Sequence, residues 1–352
     1  MALDEAKLNE FVGKMVGEMG GAMTAALMLI GDKLGLYKEL ADGKLSSAEL
    51  AKKTGTTERY VREWLAAQAA AGYVSYDLEN GGKYWLSPEQ AMVFANEGSP
   101  VFMPGFADVI QSMWRDEPKI TEAFKSGKGV GWHEHDACLF RGTERFFRPG
   151  YAANLVESWL PALDDIVDKL KRGARVADVG CGHGASTIIM AKAFPNSEFV
   201  AFDYHQPSIE KAARAARDAG ASANTRFEVA AAKNFSGDGF DLVTFFDCLH
   251  DMGDPVGAAS HVRKSLKPDG TWMIVEPFAH DHLADNLNPV GRIYYAASTM
   301  ICTPASMSQE VGLCLGAQAG EARLRDVVTE GGFTRFRRAT ETPFNLVLEA
   351  RP

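Results

Sequence analysis

The sequence has few cysteines and no spacing that would pair them. Its five cysteines are scattered over 352 residues at positions 138, 181, 248, 302 and 314, and no two of them form a CxxC motif. An odd number without such a motif gives no support to a disulfide framework or a zinc ribbon. We therefore expect reduced thiols, a cytoplasmic protein and no metal site.

The sequence also lacks a long apolar run and an excess of positive charge. The longest predominantly apolar run covers residues 22–30, whereas about 20 residues are needed to span a bilayer. The first residues are acidic and lack the basic segment of a secretory signal. A net charge of −9 argues against nonspecific nucleic-acid binding, which needs clustered Lys and Arg. These features predict a globular protein that binds neither membrane nor nucleic acid.

The segment from residue 175 to 187 carries the most information. It reads Arg-Val-Ala-Asp-Val-Gly-Cys-Gly-His-Gly-Ala-Ser-Thr, a short apolar run that contains Asp178 and breaks into glycines at Gly180, Gly182 and Gly184. The pattern predicts a strand, a tight turn and a helix start, with backbone N–H groups free to face a ligand. Glycine permits positive φ and lets a ligand approach the backbone.

Two classes of cofactor use this geometry. Gly180-x-Gly182-x-x-Ala185 also satisfies the loose dinucleotide fingerprint, so the glycines alone do not discriminate. Asp178 would repel a pyrophosphate but can hold an ammonium group, directly or through water. Asp203 ends the next apolar run, 21 residues after Gly182. An acid there can accept both ribose hydroxyls, which NAD and S-adenosylmethionine (SAM) share.

The next two candidate strands are also followed by acidic residues and a histidine. Residues 240–246 run into Asp247, His250 and Asp251, and residues 271–275 run into Glu276. In an open α/β sheet the ligand crevice lies at the carboxyl ends of the strands. These side chains, together with Asp178 and Asp203, are therefore predicted to line one rim.

From about residue 174 to 277 the chain resembles a class I SAM-dependent methyltransferase. The resemblance rests on the Asp178-x-Gly180-x-Gly182-x-Gly184 loop, the acid at Asp203 and a Leu-Lys-Pro-Asp-Gly turn at 266–270. It implies an α/β fold with a Rossmann-like seven-stranded sheet, SAM as cofactor and S-adenosylhomocysteine (SAH) as product. The residues then expected to contact the cofactor are Tyr151, Asp178, Gly180, Cys181, Gly182, Gly184, Asp203, Tyr204, Ala232, Lys233, Asn234, Phe246 and Asp247.

Residues 45–86 predict a winged helix. Ser46 and Glu49 form a capping box before one helix, Thr57 is placed to cap the helix that follows, and a hairpin follows Gly72. Residues 44–90 contain six basic and six acidic side chains, so this unit attracts phosphates weakly. The arrangement resembles the N-terminal dimerisation domain of plant-type and bacterial O-methyltransferases, which implies a homodimer.

The resemblance also suggests catalytic residues. In plant caffeate-type O-methyltransferases a His-Asp-Trp sequence follows the fourth strand, and its histidine is the general base. His250-Asp251-Met252 matches the first two residues and differs at the third. The Trp that would stack on the adenine in that family is therefore replaced here by Met252. Glu276 matches the acid that orients the base. A hydroxyl of pKa about 10 needs a base near neutrality, and histidine is the usual choice. The catalytic candidates are His250, Glu276 and Asp251, although His250 and Glu276 also admit purely structural roles.

The acceptor is predicted to be a small, largely uncharged molecule. Residues 293–304 are apolar and aromatic and would line its pocket together with residues 100–150. A hydroxyl acceptor is favoured, and a small thiol is the competing acceptor because its pKa of about 8.5 makes a base less necessary. A SAM-responsive winged-helix transcription regulator is the alternative of another class. His133-x-His135 offers two metal ligands, but without a further Cys/His cluster it favours a surface or pocket-lining loop.

The chain is expected to divide into three parts. Residues 1–95 would form the winged-helix dimerisation domain, residues 96–165 a helical connector that covers the acceptor pocket, and residues 166–352 the SAM-binding catalytic domain.

Overall fold

The computed structural model describes residues 3–79 and 81–352. The chain separates into two compact units. One reaches to Trp114 and includes Ala137–Gly150, and the other comprises Arg115–Asp136 and Tyr151–Pro352. The division into three domains stays a prediction.

The first unit contains the winged helix. Its elements are α1 (Glu5–Lys33), α2 (Leu36–Ala41), α3 (Ser47–Thr54), α4 (Glu58–Ala70), β1 (Ser75–Asp77), β2 (Lys83–Trp85) and α5 (Pro88–Phe94). The capping box is confirmed, because the Glu49 amide donates to Ser46 Oγ and the Ser46 amide donates to Glu49 Oε2. Thr57 occupies the N-cap of α4, but its side chain makes no capping hydrogen bond. Antiparallel pairing of β1 with β2 completes the predicted hairpin.

Two longer helices follow in the chain, α6 (Pro104–Ser126) and α7 (Ala137–Asn154). Between them lies a 3₁₀ turn over Trp132–Glu134, and after α7 come a π-helical turn over Leu155–Trp159 and a 3₁₀ turn over Leu160–Ala162. The expected helical content of residues 96–165 is therefore present. None of the helices within the described ranges combines the length and the apolar character that crossing a membrane requires.

The second unit is built on a seven-stranded sheet. Its elements in chain order are α8 (Ile166–Arg172), β3 (Arg175–Val179), α9 (Ala185–Ala193), β4 (Glu198–Asp203), α10 (Gln206–Asp218), β5 (Thr225–Val229), β6 (Phe240–Phe246), α11 (Pro255–Ser265), β7 (Leu266–Pro277), α12 (Pro289–Ala297), a π-helical turn (Ser298–Cys302), α13 (Thr303–Met307), α14 (Gly320–Glu330), β8 (Arg335–Glu341) and β9 (Asn345–Arg351). The strand order is β5-β4-β3-β6-β7-β9-β8. Strands β3 to β7 pair in parallel, and β9 is antiparallel to both β7 and β8.

This topology confirms the predicted α/β fold and positions the site. The chain starts the sheet at β3 and then proceeds outward on both sides of it, so the order reverses between β3 and β6. Ligands of open α/β sheets bind outside the carboxyl ends of the strands at such a switch point. Residues 266–270, predicted as a turn before the strand, belong to β7 itself, and the pairing with β6 shifts there, because Phe240 pairs with Leu266 whereas Leu242 pairs with Thr271.

The central strands are mostly apolar and buried, as expected of a parallel sheet that is covered on both faces. Every residue of β6 is buried, and Phe245, Trp272 and Leu348 are each 0% exposed. The rings of Phe245 and Trp272 meet edge to face with their centroids 5.0 Å apart. The polar side chains at the strand ends therefore stand on a rigid, fully packed base.

Candidate active site

The glycine turn after β3 directs its amides into the protein. The amides of Gly180 and Cys181 donate to the carbonyl oxygen of Phe202, at 2.8 and 3.0 Å. The Gly182 amide donates to Asp203 Oδ2 at 3.0 Å, and the Gly184 amide donates to the Cys181 carbonyl. The expectation that the N–H groups are free to face a ligand is wrong for these four amides, because Phe202 and Asp203 at the end of β4 accept from three of them and the Cys181 carbonyl accepts from the fourth.

The three glycines of the turn have different surroundings. All have positive φ, at 73° for Gly180, 52° for Gly182 and 80° for Gly184. A Cβ at Gly180 would lie 2.7 Å from Cys248 Sγ, and one at Gly184 would lie 2.9 Å from Phe227 Cε1. A Cβ at Gly182 would meet no atom of the described chain within 4 Å. Gly180 and Gly184 thus permit close packing, and Gly182 leaves space beside the carboxyl ends of β3 and β4.

Asp178 is buried and surrounded by hydroxyl groups. Its Oδ2 accepts from Ser186 at 2.7 Å and from Thr187 at 2.5 Å, and its Oδ1 accepts from Thr244 at 3.0 Å. Burial raises the pKa of Asp178, and the three hydroxyl donors oppose that increase. The side chain therefore ties β3 to α9 and β6, and a contact with an ammonium group stays a prediction.

Asp203 is placed at the end of β4 as the sequence predicted. Its Oδ2 accepts from the Gly182 amide and its Oδ1 accepts from the His205 amide at 2.9 Å. Burial raises the pKa of this carboxyl above its ordinary value, while the two amide hydrogen bonds lower it. A carboxylate oxygen can accept more than one donor, so Asp203 retains capacity for hydroxyl groups of a ligand.

Asp247 follows β6 in a backbone conformation that is uncommon for a non-glycine residue, with φ at 49°. Tyr151 Oη donates to its Oδ2 at 2.8 Å, and Asn345 Nδ2 donates to its Oδ1 at 3.1 Å. Burial and the nearby Glu276 carboxylate raise the pKa of Asp247 to about 7. Tyr151 thus holds this carboxylate and packs against Phe246, and its predicted contact with the cofactor stays a prediction.

His250 and Glu276 form a buried pair at the ends of β6 and β7. His250 Nδ1 lies 2.5 Å from Glu276 Oε2, and the Leu249 amide donates to Glu276 Oε1 at 3.0 Å. Burial lowers the pKa of His250, but the carboxylates of Glu276 and Asp251 outweigh that effect and hold the pKa well above its ordinary value. The predicted proximity of these residues is confirmed by the geometry.

Asp251 continues this network on the other side of His250. Its Oδ1 lies 3.2 Å from His250 Nε2, and its Oδ2 accepts from Trp132 Nε1 at 2.8 Å. Burial alone would raise the pKa of Asp251, but His250 and hydrogen bonds from Cys302 and Trp132 keep it below its ordinary value. The pair is therefore part of a chain of side chains that runs from Glu276 to Trp132.

The remaining cofactor candidates lie outside this network. Tyr204 is half exposed, and its ring centroid lies 6.2 Å from that of His133. Lys233 Nζ lies 2.9 Å from Glu310 Oε2 and 3.2 Å from Asp254 Oδ2. The other candidates are Cys181, which is buried against Ala201 and Ile209, and Ala232 and Asn234, which lie in a turn. Their contacts with a cofactor stay predictions.

Sequence reasoning did not find Trp132 or Asn345. Trp132 belongs to a polar segment in which only the histidines were considered as functional residues. The sequence feature that indicates it is an indole N–H donor close to acidic residues. His135 is buried, with Nδ1 3.0 Å from Asp116 Oδ2, which excludes the surface alternative for this residue and leaves the pocket-lining alternative a prediction. Asn345 carries no local signal because only the pairing of β9 with β7 brings it to the rim.

The site fits SAM. The space beside Gly182, the Asp203 carboxylate at the end of β4 and the Asp247 carboxylate at the end of β6 follow one another along the rim. A nucleoside with adjacent hydroxyls and an ammonium group presents donors for the two carboxylates. The sheet order and these acid-ended strands define a class I methyltransferase fold.

Comparisons with known proteins agree with this class. A model described as "Methyltransferase domain" matches residues 170–332, and one described as "Rv2258c-like winged HTH domain" matches residues 22–96. The chain is 25% identical to acetylserotonin O-methyltransferase of Mus musculus over 94% of its length and 86% of that protein. Human N-acetylserotonin methyltransferase in complex with SAM superposes with a TM-score of 0.72 at 16% identity, covering 99% of this chain and 98% of that one. The mitomycin 7-O-methyltransferase MmcR gives a TM-score of 0.70 at 19% identity, covering 99% of both chains.

The chain is therefore a SAM-dependent methyltransferase of class I with an N-terminal winged-helix domain. Its cofactor is SAM, as the sequence predicted.

Proposed function

We propose that the protein transfers the methyl group of SAM to a hydroxyl of a small, largely apolar acceptor, with His250 as general base. The observation that carries the proposal is the buried His250–Glu276 pair at the rim of the sheet, with 2.5 Å between Nδ1 and Oε2. Relatives named O-methyltransferases, from Mus musculus and Streptomyces lavendulae, support oxygen as the acceptor atom.

The pair determines which nitrogen of His250 accepts a proton. With Glu276 held by the Leu249 amide, the ionised carboxylate accepts the N–H of Nδ1, so the neutral form of His250 carries its lone pair on Nε2. Because the two carboxylates raise the pKa of His250, this basic form becomes more populated as the pH rises. The Glu276 carboxylate stabilises the imidazolium that forms once a proton is taken. Glu276 is thus the positioning residue, and Asp251 contributes a second negative charge beside Nε2.

The bound cofactor supplies a methyl group that its sulfonium has already activated. The residues around it have to hold it in line with the acceptor and exclude water. Asp203 is proposed to accept the ribose hydroxyls, and Asp247 to accept the ammonium group with Tyr151 and Asn345 fixing its orientation. Ala232, Lys233 and Asn234 would contact the adenine, and Gly182 provides room for the ribose.

The test is SAH release from SAM with matched phenols, carboxylic acids, amines and thiols. Turnover of a phenol should fall about 10²-fold or more in His250→Ala, whereas SAH affinity should change little. His261→Gln is the matched control, because His261 Nε2 donates to the backbone carbonyl of Phe235, which is not among the candidate site residues. Equal turnover in the wild type and His250→Ala would remove the base role. Turnover of a thiol that survives this substitution would instead establish S-methylation, the second candidate.

A SAM-responsive DNA regulator is the candidate of another class, and the charges of α4 weigh against it. Arg59 lies 2.5 Å from Glu63, and Arg62 lies 3.3 Å from Glu58, so both cations of this helix are paired within it. Phosphate attraction requires unpaired, clustered cations. Gel-shift measurements at moderate salt should show no sequence-specific complex, and a specific shift would revive the regulator.

We also propose that α1 forms the contact between two copies of the chain. Apolar side chains along this helix are strongly exposed, including Phe11 at 59%, Val16 at 67% and Met23 at 74%. A contiguous apolar face of this kind marks an interaction surface. Light scattering on the eluting protein should give twice the mass of one chain, and the mass of a single chain would refute the dimer.

The five cysteines are free thiols, which supports a reducing cytoplasmic location.

A further inference from the structure

Cys302 completes a compact cluster beside the His250–Glu276 pair. His250, Asp251 and Cys302 each offer one metal-binding atom, and these three atoms all lie within 4.8 Å of one another. The residues are 4%, 8% and 6% exposed, so the cluster is buried. It joins a nitrogen, an oxygen and a sulfur from two segments that are about fifty residues apart in the sequence.

Two of the three groups are already oriented by outer partners. Glu276 accepts from His250 Nδ1, which leaves Nε2 facing the cluster. Trp132 Nε1 donates to Asp251 Oδ2, which turns Oδ1 toward the same point. That Oδ1 is buried and lies 3.2 Å from His250 Nε2, on the side of Asp251 that faces Cys302. Metal-binding histidines and carboxylates are held in this manner.

The third group is presented by an unusual backbone. Cys302 ends the π-helical turn Ser298–Cys302 between α12 and α13. Such turns are rare and occur often at functional sites because they redirect one side chain out of the regular helical register. The Glu276 carboxylate, 2.5 Å from His250 Nδ1, adds a negative charge behind this ligand and favours a cation in the cluster.

We propose that His250 Nε2, Asp251 Oδ1 and Cys302 Sγ bind one transition-metal ion of the zinc class and leave its fourth position open. Bonds of about 2.0–2.3 Å place the ligands of a tetrahedral ion roughly 3.5 Å apart, so the cluster must contract by about 1 Å. A mixed nitrogen, oxygen and sulfur set suits zinc and its neighbours, whereas magnesium and calcium prefer oxygen alone. A divalent ion bound at this position displaces the proton of the Cys302 thiol.

The site gives the metal a defined effect on turnover. An ion on His250 Nε2 occupies the lone pair that the proposed base uses, so the metal-loaded protein should not methylate a hydroxyl. This effect rests on the proposed function, but the binding itself does not. Direct binding and turnover are therefore measured separately.

The experiment is a titration of the metal-free full-length chain with Co²⁺, which reports a thiolate ligand by a charge-transfer absorption band. One equivalent should generate the band, and Zn²⁺ should abolish it by displacement. Cys302→Ser should lose the band, and Asp251→Asn should bind Co²⁺ at least tenfold more weakly. Cys138→Ser is the matched control, because Cys138 is also a buried free thiol but lies in the other compact unit.

Each outcome decides the proposal. An absent band in the wild type, or an equal band in Cys302→Ser and Cys138→Ser, would overturn it. If circular dichroism shows that Cys302→Ser does not fold, the Co²⁺ titrations of Asp251→Asn and His250→Gln decide instead. Co²⁺ affinity equal to that of the wild type in both variants would contradict the site. If the band appears but Zn²⁺ does not reduce the turnover of a hydroxyl acceptor, metal binding is established and the base role of His250 is contradicted. The two proposals can therefore fail independently.

Discussion

Substitution of Gly184 by alanine should cost far more stability than the same substitution at Gly182. Both glycines lie in one turn and both have positive φ, at 80° and 52°. An L-residue in the left-handed region costs about 1–2 kcal/mol, and the lower freedom of the unfolded alanine chain returns about 0.4–1 kcal/mol. The backbone contribution is therefore about 1 kcal/mol at each position.

The two positions differ in what the new methyl group meets. At Gly184 it would lie 2.9 Å from Phe227 Cε1 and 3.0 Å from Ala212 Cβ, between β5 and α10. Overpacking of this kind costs about 1–3 kcal/mol more, which gives about 2–4 kcal/mol for Gly184→Ala. At Gly182 it meets no described protein atom within 4 Å, so the cost should remain about 1 kcal/mol.

Cofactor binding should show the opposite order. The open space at Gly182 is where we place the ribose, so a methyl group there should weaken SAH binding by about 10-fold to 100-fold. Urea unfolding followed by circular dichroism measures the first effect, and calorimetric SAH titration of the folded protein measures the second. Equal destabilisation by the two variants, or unchanged SAH affinity in Gly182→Ala, would refute the reasoning.

Three further predictions follow from the pKa of one acid and the packing of α1. Burial and Glu276 raise the pKa of Asp247 to about 7, and its ionised form is proposed to bind the ammonium group. SAH affinity should therefore fall about tenfold from about pH 8 to about pH 6. Calorimetric titration of Asp247→Asn should show an SAH affinity that does not change over this pH range. Gly31→Ala places a Cβ 2.4 Å from Trp64 Cζ2 and should destabilise the first unit by about 1–2 kcal/mol. Gly17→Ala, whose Cβ meets no described atom within 4 Å, should stabilise the same helix by up to about 1 kcal/mol. Urea unfolding measures both free energies. Met23→Glu should convert the proposed dimer into single chains in light scattering, and a mass equal to that of the wild type would contradict the role of α1.

Much of the fold was predictable because its signals are local. Each central strand is a short apolar run that ends in an acid, and parallel strands align their carboxyl ends at one edge of the sheet. The sequence positions of Asp203, His250 and Glu276 therefore sufficed to place them at one edge of the sheet. The capping box at Ser46 is equally local, because both of its partners lie within one turn of helix.

The parts that could not be predicted depend on contacts between distant segments. The turn amides were expected to face a ligand, but whether an N–H group is free depends on which carbonyl lies opposite, here that of Phe202. Trp132 reaches Asp251 across 119 positions in sequence, and Asn345 reaches Asp247 across 98. No periodicity in either segment records these partners, since each contributes a single polar atom.

The order of strands in the sheet also constrains how the chain is assembled during synthesis. Strand β9 lies between β7 and β8, so β8 has no sheet partner until residues 345–351 have been made. Until then β7 presents an unpaired backbone edge from Trp272 to Pro277, the residues that pair with β9 in the finished sheet. An exposed strand edge of this kind readily pairs with other chains. Nascent chains that end before β9 should therefore be bound by chaperones or aggregate, and the sheet should close late, in a single step that adds β9 and β8 together.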